Sequence, residues 1–428
     1  MGNGICLEER LPGSQTGAIY KFYSSFELRD GKMDRLQQST ENGLGLNLYV
    51  DGRFGSFSTN RLDKKELETL ITNGIESTRY LAVDESRMLA DPARYYKGGK
   101  PDLQLFDKKL YEVNPDDKVA IARAAAEEVL GKDERIISVD SSYSDGEGSS
   151  YRLISNGFEA ESYHTWFYVS ASVSIKGEGE ARPQDYWYDS ALFYDNLTTL
   201  GIGAKALERV LRKLGQKKAK SGKYTMVVDP MNVGNLLSPM LSALYGSALQ
   251  QKNSFLMDKL DTKVASDLFT LRDEPHAIGA NGSRYFDNEG VATEPRTVFD
   301  KGVLKTYFID TYNGKKMDIA PTISAPSRLI LTPGDKDLNG LVADIKQGIL
   351  VTGFNGGNSN SSTGDFSYGI EGFLIEDGKL TQPVNEMNVT GNMVTLWNSL
   401  VAVGNDPQPN RSWQIPSLVF EGVDFSGL

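Results

Sequence analysis

Any reaction that needs histidine or cysteine must use one of three residues in this 428-residue chain: His164, His276 and Cys6. His164 stands in Ser162-Tyr163-His164-Thr165-Trp166, inside an aromatic strand-like run, and reads as structural or surface. His276 lies in the turn Glu274-Pro275-His276 with no second histidine at ligand spacing, so neither begins a zinc set. No Gly-x-Ser-x-Gly elbow and no Gly-x-x-x-x-Gly-Lys loop occurs, which weakens serine-hydrolase and P-loop readings. Carboxylates cluster at Asp287-Asn288-Glu289, at Asp335 and Asp337, and at Glu371, Glu376 and Asp377. None follows a Ca²⁺-loop spacing, so solvated turns are expected. Gly201-Ile202-Gly203 opens a helix with Asp229 downstream at a ribose-acid distance, a dinucleotide-like pattern. Residues 195–200 form no strand entering those glycines, which favours an ordinary helix entry.

Two segments stand out once these motifs are set aside. Residues 230–253 contain no His, Glu, Asp or Cys, yet Val233, Leu236, Leu237, Met240, Leu241, Leu244, Ala248 and Leu249 recur at helical spacing. That pattern predicts one amphipathic helix with an apolar face. Residues 353–372 are rich in Gly, Asn and Ser and predict a loop leading into a strand. Such a loop offers many hydrogen-bonding groups, as peptide-recognition loops do; a mobile linker is the other reading.

The elements that would position these segments divide the chain. Alternation predicts strands at residues 26–29, 45–50 and 55–58, followed by a helix over 63–80 with Leu67, Leu70, Ile71 and Ile75 inward. A surface loop is expected over 91–107, and a helix over 115–130 that starts on Pro115. Period-two runs at 136–143, 149–154, 158–175 and 186–193 suggest an antiparallel meander, closed by a helix over 204–214. Residues 216–223, charged and flexible, are the best linker, and hairpins are signalled at Asp300-Lys301-Gly302 and Asp377-Gly378. The expected architecture is α+β. Residues 25–222 form an N-terminal domain of antiparallel sheet with helices, residues 223–428 a mostly β C-terminal domain with a few helices, and residues 1–24 an irregular start.

Composition bounds the partners. With 46 Lys+Arg against 57 Asp+Glu the net charge is −11, which argues against direct nucleic-acid binding. The one basic run, 209–223, reads as a solvated helix end. A lone cysteine, no apolar run long enough to span a bilayer and no signal-peptide pattern predict a cytoplasmic protein without a membrane partner.

Ordered matches give these segments a context. Phe26-Glu27-Leu28-Arg29-Asp30-Gly31-Lys32, residues 230–256, Phe286-Asp287-Asn288-Glu289-Gly290-Val291, Thr363-Gly364-Asp365-Phe366-Ser367-Tyr368-Gly369 and Val403-Gly404-Asn405-Asp406 together resemble the PmbA/TldD family, also described as modulators of DNA gyrase. The resemblance implies a metallopeptidase scaffold in which catalytic members carry His-Glu-x-x-x-His on the helix at 230–253. Here Ser238, Pro239 and Ala243 occupy those places, and residues 411–428 lack the cysteine that catalytic members use as a further zinc ligand. The chain therefore resembles the TldE/PmbA-type subunit, with no cofactor of its own and zinc expected in a TldD-type partner. Peptides and small, poorly folded proteins are the implied substrates, with contacts expected at Asn358, Asp365, Ser367, Gly369 and Gly372. Two further readings stay open: a stand-alone homodimeric peptide-binding or regulatory protein, and an independent hydrolase using carboxylates or Ser/Asp chemistry.

Overall fold

The computed structural model describes residues 13–428. Its first half is built on an all-antiparallel sheet of β1 (Ser14–Arg29), β2 (Lys32–Val50), β3 (Arg53–Thr59), β4 (Ile136–Ile154), β5 (Phe158–Ile175) and β6 (Gln184–Ala191), in the order β3-β2-β1-β4-β5-β6. Residues 14–24, expected to be irregular, are strand in the middle of this sheet: Ser14 opposes Leu48 on one side and Gln15 opposes Ile154 on the other. Most of that stretch is only half-buried, so no alternation marks it. Residues 1–12 of the same expected segment, with Cys6, lie outside the described residues. The runs at 136–143 and 149–154 are one strand, β4, because Gly146 and Gly148 continue it. A Cβ at Gly148 would stand 2.4 Å from the His164 ring, so these glycines leave room for cross-strand aromatic rings.

Three helices cover the sheet. In α1 (Lys64–Arg79), capped by the Asp63 carboxylate, Leu67, Ile71 and Ile75 pack on Leu46 and Leu48. Helix α2 (Pro115–Glu127) starts on Pro115 under an Asn114 cap and presents Ala122, Ala125 and Ala126. That small-residue face lets α3 (Ile202–Leu211) approach until a Cβ at Gly203 would stand 1.9 Å from the Ala125 carbonyl. Loop 91–107 is not wholly at the surface, since its own Tyr95 and Leu103 are buried.

The second half begins at β7 (Gly222–Val228). The linker expected over 216–223 is not free: Lys217 N–H donates to the Pro383 carbonyl, and its last two residues already belong to β7. Helices α4 (Gly234–Ser242) and α5 (Gly246–Gln250) follow, then β8 (Leu271–Asp273), β9 (Arg296–Asp300), β10 (Val303–Leu304), α6 (Thr311–Met317), β11 (Leu329–Leu331), α7 (Leu338–Ala343), β12 (Gln347–Ser359), β13 (Asp365–Glu376), β14 (Lys379–Asn392), α8 (Met393–Asn398), β15 (Leu400–Val403), β16 (Trp413–Gln414) and β17 (Leu418–Ser426). The main sheet runs β14-β13-β12-β7-β17-β15, and a further pairing of β14 with β17 closes its first five strands into a ring. A smaller sheet, β10-β9-β8-β11-β16, lies beside it. Turns signalled at Lys301-Gly302 and Asp377-Gly378 join β9 to β10 and β13 to β14, each with positive φ at both central residues. The core between these layers holds Trp397, fully buried against Phe269 and Phe420.

The single helix expected over 230–253 is two helices. Pro239 supplies no N–H to the ladder, and the chain turns at Tyr245, where Gly246 N–H donates 2.7 Å to the Phe308 carbonyl. Gly246 is pressed against α6, with a Cβ there only 2.8 Å from Asn313 Cβ. Burial of Val233, Leu236, Leu237, Met240, Leu241, Leu244 and Leu249 nevertheless follows the apolar face.

Candidate functional site

The helix that lacks ligands and the Gly/Asn/Ser segment meet. Most of residues 353–372 is strand rather than loop: β12 and β13 form a long hairpin whose tip is only residues 360–364. Two register shifts, at Val351/Gly353 and Phe354/Gly357, bend it. The tip is fastened to the segment after α5, because Asn253 Oδ1 accepts from Ser361 Oγ at 2.7 Å and Ser362 Oγ at 2.6 Å. Between hairpin and helix lies a cavity of about 390 Å³ lined by Asn235, Ser238, Pro239, Ser242, Ser359, Ser361 and Tyr368.

Of the three residues at the zinc-motif places, Ser238 is exposed, Pro239 is half-buried and both line this cavity. Ala243 is buried beneath it, and its carbonyl accepts from Ser254 Oγ at 2.6 Å. A hydroxyl, a proline and a methyl supply none of the three or more nitrogen, sulfur or carboxylate ligands that zinc needs, so the metal does not fit here. Among the described residues, no group of three or more His, Cys, Asp or Glu is placed to hold a metal ion.

The residues expected to contact substrate spread along the hairpin. Asn358 and Ser367 are exposed and directly opposed. Asp365 is exposed but engaged: Thr363 Oγ1 donates to Oδ2 at 2.8 Å and Asn392 Nδ2 to Oδ1 at 2.9 Å. Those two bonds, Asn392 first, hold its carboxyl below the usual range. Gly369 and Gly372 sit further along β13, where a Cβ would stand 2.6 Å from the Asn355 carbonyl and 1.8 Å from the Leu350 carbonyl. Both permit close strand approach.

One edge here is open. Strand β12 pairs with β7 only from Gly348 to Val351, and among the described residues it has no partner strand on that side from Gly353 to Ser359. Backbone donors and acceptors along that stretch, next to the hydroxyls of the cavity, can pair with an extended chain.

The other motifs resolve into structure. The Glu128 carboxylate accepts from Gly201 N–H at 2.7 Å and Gly203 N–H at 2.8 Å, so the helix start that resembled a phosphate site is already bound to an anion. Asp287 and Glu289 are not solvated. Asp287 is 3% exposed and accepts from the amides of Glu289, Val291 and Ser324, while Glu289 accepts from Thr311. His276 bonds Thr293 Oγ1 at 3.1 Å, and burial lowers the pKa of both histidines.

Two charged features escaped the sequence reading. Lys213, in the run expected to be solvated, is buried. Its Nζ lies 2.7 Å from Glu371 and 3.2 Å from Asp185, and Arg209 Nε lies 3.2 Å from Asp185. This network joins α3 and β6 to β13, and no local pattern announces a pair separated by 158 positions. The second is Asp229, at the end of β7 and 4% exposed. Burial raises its pKa to about 6 against the opposing Asn232 hydrogen bonds and the Arg209 charge. Its proton is held more tightly in the folded state than at the unfolded value of about 3.9. The corresponding stability is therefore complete below about pH 4 and lost as pH rises to about 6. Replacing Asp229→Asn, which keeps the oxygen accepting from Asn232, should raise stability over wild type by roughly 2–3 kcal/mol between pH 4 and pH 7, read by urea unfolding across that range. A constant difference would contradict it.

The scaffold is that of an α+β protein, a sheet covered by helices followed by a five-strand ring, with a cavity between the β12–β13 hairpin and α4. Three family models match the chain in order: PmbA/TldA metallopeptidase domain 1 over residues 20–78, central domain over 108–214 and C-terminal domain over 221–427. The chain belongs to the PmbA/TldD family. It is 27% identical over 411 residues to the metalloprotease PmbA homolog of Haemophilus influenzae, covering 94% of this chain and 90% of that one. Metalloprotease PmbA of Escherichia coli O157:H7 is 26% identical over 407 residues with the same coverage. A solved structure from Bacteroides thetaiotaomicron, described as a candidate modulator of DNA gyrase, superposes with TM-score 0.98 at 69% identity, covering 100% of this chain and 97% of that one. TldE from Thermococcus kodakarensis shares the fold, with TM-score 0.86 at 20% identity and full coverage of both chains. No helix among the described residues is long and apolar enough to cross a membrane.

Proposed function

We propose that this chain is the non-catalytic, substrate-guiding subunit of a TldD/TldE-type metallopeptidase that acts on peptides and poorly folded small proteins in the cytoplasm. A zinc-bearing TldD-type subunit would supply the metal. The observation that carries the reading is the free β12 edge over residues 353–359 beside a cavity built from Ser238, Pro239, Ser359 and Tyr368. An extended peptide can add to that edge through backbone hydrogen bonds, while hydroxyls and amides of the hairpin orient it without any group able to attack its carbonyl. Asn358 and Ser367 present their side chains at the open end, and Asp365 with Asn392 and Thr363 fixes the tip that presents them. Gly369 and Gly372 act by letting the strands approach.

The test is peptide processing by the chain mixed with a zinc-motif subunit. Asp365→Ala with Ser367→Ala should reduce processing at least tenfold while zinc stays with the partner. Full activity of that double variant would contradict the assignment. A homodimeric peptide-binding protein without hydrolase activity is the second reading, supported by the same open edge. Peptide binding by the isolated chain together with no gain in processing on adding the partner would select it.

A further inference from the structure

A cavity of about 670 Å³ lies apart from the zinc-motif cavity and shares none of its lining residues. It opens between the β4–β5 hairpin and residues 283–288 of the second half of the chain. Two guanidinium groups reach it, Arg152 from β4 and Arg284 from the opposite wall. Both are half-buried, and among the described residues neither has a carboxylate within ion-pair distance. Arg284 is held by uncharged groups: Nε donates 2.9 Å to Ser327 Oγ, and Nη2 donates to the carbonyls of Ala325 and Pro326. Arg152 donates from Nη1 to the Asn288 carbonyl, and its buried Nε has no partner. The nearby Asp287 acts on Arg152 through space but pairs with neither guanidinium, and its oxygens accept three backbone amides.

Two part-desolvated cations that line one cavity from opposite walls, neither in contact with a carboxylate, are costly unless an anion joins them, and a guanidinium fork suits a planar carboxylate. The remaining wall fits the rest of a peptide. Tyr96 stacks on Tyr285 at 5.2 Å, and Ser150 and Ser162 present a pair of hydroxyls 2.8 Å apart. Asp102, Glu161 and Asp287 line the same cavity, so its formal charge balances Lys100, Arg152 and Arg284, which favours a monoanion over a phosphate dianion. We propose that this cavity is a second peptide site, in which Arg152 and Arg284 grip the free C-terminal carboxylate of the chain, with an adjoining side chain against Tyr96 and Tyr285. The proposal rests on the reading of this protein as a peptide handler and extends it to a preference for free C-termini.

The experiment uses the isolated full chain and a fluorescein-labelled pentapeptide made with either a free or an amidated C-terminus. Fluorescence anisotropy should show the free acid binding at least tenfold more tightly. Arg152→Gln should abolish that discrimination and Arg152→Lys retain part of it, both melting within a few degrees of wild type. Inorganic phosphate at matched ionic strength should not displace the probe. Equal affinity for acid and amide, discrimination that survives Arg152→Gln, or displacement by phosphate would each overturn the proposal. Loss of discrimination with processing by the mixed subunits intact would sink this site alone. Acid-selective binding with no processing by the mixture would sink the subunit reading alone.

Discussion

Lys213→Met is expected to destabilise the protein by about 3–5 kcal/mol, the range for removing one partner of a buried ion pair. Lys213 Nζ donates to the Gln184 carbonyl at 3.0 Å and to Glu371 at 2.7 Å, and pairs with the Asp185 carboxylate at 3.2 Å. Methionine fills nearly the same volume but leaves Glu371 without its cation and Asp185 with Arg209 alone, and both carboxylates are largely out of water. Because the network ties α3 and β6 to β13, the loss falls on the junction between the two halves of the chain. Thermal unfolding should therefore separate into two steps as well as shift downward. Lys205→Met gives the contrast: its pair with Glu208 is 40% and 51% exposed, and it should change stability by less than about 0.5 kcal/mol. Equal small effects at both positions would show that the buried network contributes nothing particular.

The same network shows how far the sequence could be read. Elements with strong local signals were legible: α1 with its Asp63 cap, α2 with Asn114 and Pro115, and the Lys301-Gly302 and Asp377-Gly378 turns. Residues 14–24 were not, because most of them are half-buried on both faces, and residues 144–148 were not, because all five are buried; neither pattern leaves a period of two. Asp287 and Glu289 looked like a solvated turn for a related reason. Carboxylates that cap backbone amides have the same residue types as carboxylates in water, and only the fold separates them. Within the candidate site, the sequence singled out residues 230–253 and 353–372 but read them as one helix and a loop entering a strand, and it did not show their meeting. Asn253, which fastens the hairpin tip, is 108 positions from Ser361. Arg152 and Arg284 likewise come together only when the two halves pack.

What remains is the chemistry that the helix after β7 does not offer. Ser238 is exposed, Pro239 half-buried and Ala243 buried, and these three positions supply neither a zinc ligand nor the carboxylate of a general base. If, as proposed, the metal and the general base both belong to the partner, the expected difference between the isolated chain and the mixture is close to all or none. Zinc content and peptidase activity, measured on the isolated chain and on the chain mixed with a zinc-motif subunit, test this most directly. The account predicts neither bound zinc nor activity above background in the isolated chain, and both in the mixture, with processing faster than the zinc-motif subunit achieves alone. Stoichiometric zinc with peptidase activity in the isolated chain would contradict it.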